Sequence, residues 1–133
     1  MPPRTYRPDE ANRALPEVRR LVELIVDVLG RLPELQDELR IAEYRARRPA
    51  AGPDDRARYE QAAGRLQSGE DELASAVTRL DQLGVQLKDA GSGLVDFLSY
   101  RDGELVELCW KLGEERVGHW HRIGEGYAGR KPL

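Results

Sequence analysis

LVDFLSYRDGELVELCWKLGEERVGHWHRI, residues 94–123, is the stretch whose reading decides the fold. From Leu94 to Tyr100 apolar and polar side chains alternate, the period of a strand with one covered face. Asp102-Gly103 then marks a two-residue hairpin turn, because both residues tolerate the positive φ that such a turn demands. A two-residue loop pairs Arg101 with Glu104. The ladder behind it sets Phe97 opposite Leu108, Asp96 opposite Cys109 and Leu98 opposite Glu107. Gly113-Glu114-Glu115 reads as the next turn. A three-residue turn centred on Glu114 sets Cys109 opposite His119 and Glu107 opposite His121, in a last strand from Val117 to Ile123.

Successive side chains of a strand point to opposite faces. One face therefore carries Val95, Phe97, Val106, Leu108, Trp110 and Trp120, an apolar surface for helices to cover. The other carries Asp96, Glu107, Cys109, His119 and His121. A one-residue slip in the second turn would part Trp120 from Trp110 and set both histidines among apolar residues, so the hydrophobic pattern rejects it. Val85 to Lys88 reads as a further short strand.

Upstream, the chain reads as helical. Pro8 suits a first helical position, and Asp9 and Glu10 suit the positive end of the helix dipole. Arg7 is a poor cap, having no short side-chain acceptor. Pro16 predicts a kink or restart near Leu15, and Gly30 with Pro33 predicts a bend near Leu32. Leu21, Ile25, Val28, Leu32, Leu35, Leu39 and Ala42 follow a 4-3-4-3-4-3 spacing, a heptad seam. Residues 45–55 read as a reversing loop, with Asp54 or Asp55 as a cap. A second helix from about 55 to 83 carries Tyr59, Ala63, Leu66, Leu73, Val77 and Leu80, with Glu70 in an apolar slot. Gly84 ends it in a left-handed conformation.

The expected fold is thus α+β: a long antiparallel, coiled-coil-like helical hairpin (8–84), a small C-terminal antiparallel β-meander (85–127) and a tail (128–133), forming one domain over 1–133. So little sheet beneath such long helices leaves apolar surface for a second copy, and a homodimer through the helices is expected.

Composition bounds the function. The chain has 133 residues, 21 basic against 24 acidic, and a net charge of −3, so no global field draws it to nucleic acid or anionic lipid. The arginines at 45–48 have Asp54 and Asp55 close by and only Tyr44 as an aromatic, which argues against a nucleic-acid interface. No run of about 18 apolar residues predicts a membrane span. The opening MPPRTYRPDEANRALPEV has no apolar core of a secretory signal, and the lone Cys109 excludes an intramolecular disulfide; a cytoplasmic location is expected.

The chemistry points to the polar face. His-x-His on a strand sets two imidazoles on one side, close enough to converge on a metal ion. With Cys109 and Asp96, and a nearby carboxylate, they form a mixed N/O/S set suited to a divalent transition metal: zinc, iron, nickel or copper. The competing reading is a solvated strand face, with Cys109 as a small buried apolar residue. No Ser–His–Asp ordering is present. The Gly-rich tail RIGEGYAGRKPL lacks the context of a phosphate loop, and Arg130 and Lys131 read as solvated charges.

Three segments, DEANRALPEVRRL, GLVDFLSYRDGELVELCWKLGEERVGHWH and GEGYAGRKPL, resemble an uncharacterised bacterial family, the domain of unknown function DUF2203. The resemblance spans nearly the whole chain and implies a family pattern at Glu10, Asn12, Pro16, Asp96, Phe97, Cys109, Trp110, Gly113, Glu114, Trp120, His121, Gly126 and Arg130. Departures are Arg7, where the family usually has Thr or Ser, Leu98, where it often has Pro, and His119, where it usually carries Tyr or Phe. The resemblance therefore implies a site of Asp96, Cys109, Glu114 and His121 rather than one needing His119. The expected use is a homodimeric helical scaffold or interaction module; the alternative is a small metal-binding protein or metal-dependent enzyme working from the polar face.

Overall fold

The computed structural model describes residues 2–133. Helix α1 runs from Pro8 to Ala46 and helix α2 from Pro53 to Leu83, antiparallel and packed along each other. The weak cap at Arg7 is helped from inside the helix: Glu10 Oε1 accepts the Arg7 N–H at 2.9 Å. At α2 Asp55 does the same for the Gly52 N–H, at 3.2 Å, so the cap residue is Gly52 and not an aspartate. The reversing loop is shorter than expected, residues 47–52.

Contrary to the expected restart at Pro16, α1 is one continuous helix of 39 residues with Pro16 and Pro33 inside it. Both prolines lie on the exposed side. The loss of two helix hydrogen bonds is therefore confined to the solvent side, while the opposite face stays packed.

The hairpin seam also differs from its expected line. On α1 the buried positions begin at Ala11 and continue through Leu15, Val18, Val22, Ile25 and Val28. On α2 they are Ala62, Gly69, Ala76, Leu80 and Leu83, while Tyr59 and Val77 face outward. Small residues make the contact line. A Cβ at Gly69 would lie 3.5 Å from Leu35 and 3.7 Å from Val28, so the two backbones approach closely here. From the expected seam Ile25, Val28, Ala42 and Leu80 are buried, and Leu32 and Leu35 flank Gly69.

Gly84, at φ +74°, turns the chain directly into the sheet. Five antiparallel strands follow in sequence order: β1 (Val85–Asp89), β2 (Leu94–Arg101), β3 (Glu104–Lys111), β4 (His119–Arg122) and β5 (Lys131–Pro132). The β2–β3 and β3–β4 registers are those read from the hairpin turn: Arg101 opposite Glu104, Asp96 opposite Cys109, Cys109 opposite His119, Glu107 opposite His121. The second connection is longer than three residues, covering 112–118, but the β3–β4 register stays symmetric about Glu114 and preserves parity. The tail adds a strand that sequence reading missed. His119 pairs with Pro132 and Trp120 with Lys131, and the Leu133 N–H donates to Gly118 O at 2.9 Å.

Val95, Phe97, Val106, Leu108 and Trp110 are all buried on the helix side, joined by Val85 and Tyr6. The Tyr6 ring meets Phe97 edge-on at 5.2 Å, its N–H donates to Leu98 O at 2.7 Å and its hydroxyl to Leu83 O at 2.6 Å. Asn12 ties α1 to the β3–β4 connection, donating to Val117 O at 3.1 Å and accepting the Val117 N–H at 2.8 Å. Gly93, at φ +72°, lets α1 close on the β1–β2 turn: a Cβ there would lie 2.7 Å from Leu112 Cβ and 2.9 Å from Val22 Cγ1.

Candidate functional site

The outer face of the sheet is not a solvated face. Asp96, Glu107, Cys109 and His121 are buried there, because residues 124–132 fold back over them. Positive φ at Gly124 (+91°) and Gly126 (+71°) makes that return possible.

Three neighbouring strands each supply one donor: Asp96 from β2, Cys109 from β3 and His121 from β4. Cys109 faces Asp96 across the ladder, and His121 lies one pleat along from Cys109's partner His119. A carboxylate oxygen, the thiol sulfur and an imidazole nitrogen all lie within 4.8 Å of one another. All three residues are at most 3% exposed.

The imidazole is oriented by its own strand. His121 Nδ1 lies 2.9 Å from Arg122 O. A carbonyl only accepts, so Nδ1 carries a proton and donates it. Nε2 then faces Asp96 Oδ1 at 3.3 Å. Burial, and then the nearby Glu107 charge, push the Asp96 carboxyl above its usual range, against the pull of His121 and Lys88. Nε2 and the carboxylate oxygen lie within reach of a single hydrogen bond.

Burial also pushes the Cys109 thiol up to about 11, with Asp96 adding to the effect. The opposing influence is Arg130, whose Nη1 lies 3.9 Å from the sulfur. Arg130 is the tail's anchor. It donates to Glu114 Oε1 at 3.0 Å and Oε2 at 2.6 Å, a two-pronged pair, and its guanidinium lies 4.2 Å from the centre of the Tyr127 ring. Glu114 also accepts the Lys111 N–H at 2.8 Å. Partial burial would raise its carboxyl, but Arg130 and that N–H outweigh it and hold the group below its usual range.

Of the five expected ligands, the structure therefore gathers Asp96, Cys109 and His121. Glu114 is occupied by Arg130 and shapes the β3–β4 connection. His119 stands beside Glu114, with Nδ1 3.9 Å from Oε2, and that nitrogen is buried without a hydrogen-bond partner. Sequence reading took Arg130 for a solvated charge and missed Lys88. Arg130 lies inside the site, in keeping with its place in the family pattern. Lys88 reaches over from β1, 4.0 Å from Asp96 Oδ2 and 3.6 Å from Glu107 Oε2.

A cavity of about 210 Å3 opens beside the trio, walled by Asp96 and His121 with Lys88, Leu94, Glu107 and Tyr127. Among the described residues, no helix is long and apolar enough to cross a membrane.

Fold and site together define an α+β protein whose helical hairpin covers one side of a meander and whose tail covers a polar cluster on the other. The chain belongs to the family described as an uncharacterized conserved protein, DUF2203, whose model matches residues 4–133. No curated protein and no solved structure matches it.

Proposed function

We propose that the protein binds a divalent transition metal through Asp96, Cys109 and His121. The observation that carries this reading is the convergence of one oxygen, one sulfur and one nitrogen donor within 4.8 Å, buried and drawn from three adjacent strands. Metal–ligand bonds of about 2.0–2.3 Å put tetrahedral ligand atoms ~3.5 Å apart. The Nε2 to Oδ1 separation of 3.3 Å already suits such an edge, and only the sulfur has to draw in. The Nδ1–H to Arg122 carbonyl bond is the outer support that metal-bound imidazoles use. The mixed donor set favours zinc over magnesium or calcium, which take oxygen ligands. The lone buried thiol fits a reducing compartment, and we place the protein in the cytoplasm.

Elemental analysis of untagged protein tests this. Wild type should carry one metal per chain and His121→Ala none, and added zinc should raise the melting temperature of the wild type alone. No metal in either sample, together with no effect of zinc on melting, would remove the reading.

A second reading, the homodimeric scaffold, is favoured by the far half of the hairpin. There Ile41 and Tyr44 are 54% and 72% exposed, and the sheet does not reach. Sedimentation at micromolar concentration should give a dimer; a monomer would discard it.

A further inference from the structure

A tetrahedral ion held by three donors would have a fourth position to fill, and the cavity of about 210 Å3 adjoins two of the three: Asp96 and His121 line it and Cys109 does not. Two charged groups of the chain face the same space without belonging to the trio. Glu107 sits opposite His121 in the ladder and is 6% exposed. Its charged neighbour, the Lys88 ammonium, is 3.6 Å away, beyond good hydrogen-bond length. Glu107 is thus a buried acceptor with capacity left, and Lys88 a donor at the mouth.

Charge and size limit what fits. A divalent ion with Asp96 and a Cys109 thiolate sums to zero, and so does Glu107 with Lys88. A net anion or cation would enter a space whose own charges already balance, with no unpaired charge to offset its desolvation. At about 30 Å3 per water, the cavity has room for roughly seven waters, hence for a ligand of a few heavy atoms. The walls require an oxygen acceptor aimed at the metal and Lys88, and an N–H or O–H aimed at Glu107.

We infer that the cavity is the ligand pocket of the metal's open position, and that it takes a small neutral carbonyl compound bearing its own N–H donor, of the amide class. This rests on the metal reading above. Asp96 and His121 hold the ion at the inner wall, Glu107 accepts from the donor and Lys88 steadies the carbonyl oxygen. The residues 124–127 form the outer wall.

Acetamide added to the cobalt(II)-loaded protein is the probe. The expected result is a saturable change in the visible cobalt spectrum at constant cobalt content. Glu107→Gln, compared with wild type at saturating cobalt, should weaken acetamide about ten- to a hundredfold, the range for a hydrogen bond to a charged group. Leu94→Trp, which fills the cavity, should keep cobalt and abolish the response; it serves where Glu107→Gln folds poorly. Failure to load cobalt would overturn the metal reading itself. Cobalt bound with no spectral response, cobalt stripped by the probe, or Glu107→Gln and Leu94→Trp both responding like wild type would overturn the pocket and leave the metal reading standing.

Discussion

Gly93→Ala should be among the most damaging single-methyl additions in the molecule. Gly93 has φ +72°, a conformation that costs an L-residue about 1–2 kcal/mol. The added Cβ would also lie 2.7 Å from Leu112 Cβ and 2.9 Å from Val22 Cγ1, and relieving such contacts in a packed core costs about 1–3 kcal/mol. Neither neighbour is a free chain end: Val22 is fixed in the middle of α1, and the Leu112 N–H is bonded to Gly93 O at 3.0 Å. Restricting the unfolded chain returns about 0.4–1 kcal/mol. The net loss is about 1–4.5 kcal/mol. With an unfolding entropy of about 2.1 cal/mol/K per residue over 133 residues, the melting temperature should fall by roughly 4–16 °C. Gly103→Ala separates the causes. Its φ is +81°, but its Cβ would meet nothing within 4 Å, so only the backbone strain applies and the fall should be about 2–5 °C. Thermal denaturation of both variants, followed by circular dichroism, is the assay. Equal losses at the two glycines would refute the packing of α1 against the β1–β2 turn as described.

Arg130→Ala removes both prongs of the Glu114 pair and should lower stability by about 1–2 kcal/mol while making the segment 123–130 markedly more sensitive to limited proteolysis. Glu114→Gln with Arg130→Ala should cost less than the sum of the two single changes, measured by a double-mutant cycle in urea. Burial holds the Tyr6 hydroxyl above its usual 10.0, against the pull of Arg4 and Arg79. The folded chain therefore keeps a proton that the unfolded chain releases, so stability is full below pH 10 and falls as pH rises through the folded value. Tyr6→Phe should flatten that fall in urea titrations between pH 9 and 11. Metal binding through Cys109 must displace a proton held up to about 11, so apparent zinc affinity should rise about tenfold per pH unit from pH 6 to 9 in competition with a chromophoric chelator. A flat profile would mean the thiol is not a ligand.

The sheet was legible because its evidence is local. Asp102-Gly103 sets a register, and the parity that follows places Trp110 and Cys109 on opposite faces with no knowledge of the rest of the chain. The helical seam was less legible because its contact line uses Ala62, Gly69 and Ala76, which a search for large apolar side chains passes over. The continuity of α1 through Pro16 depends on which side of the helix faces water, and that is known only once the sheet is in place. At the site, parity gathered Asp96, Glu107, Cys109, His119 and His121 correctly on one face. It could not separate His119 from the trio, because that distinction depends on Glu114 and on Arg130 arriving from 16 residues further along the chain.

The two sides of the sheet have different physical roles. The helix side removes Phe97, Trp110, Val95 and Leu108 from water, a gain of about 1.5–3 kcal/mol for each large side chain. The outer side buries two carboxylates, a thiol and an imidazole, where aliphatic residues of similar size would fold at lower cost. The tail that makes this burial complete is not held by a large apolar contact. Its anchors are the Arg130–Glu114 pair, the Tyr127 ring against that guanidinium and two residues of strand pairing. A cover held by polar contacts can be released and replaced more readily than one held by a hydrophobic core. In that arrangement the stability of the helix side carries the desolvation cost of the outer side. A cation bridging Asp96, Cys109 and His121 would recover part of it, because it supplies positive charge that the Arg130 guanidinium, 3.9 Å from the sulfur, supplies only in part.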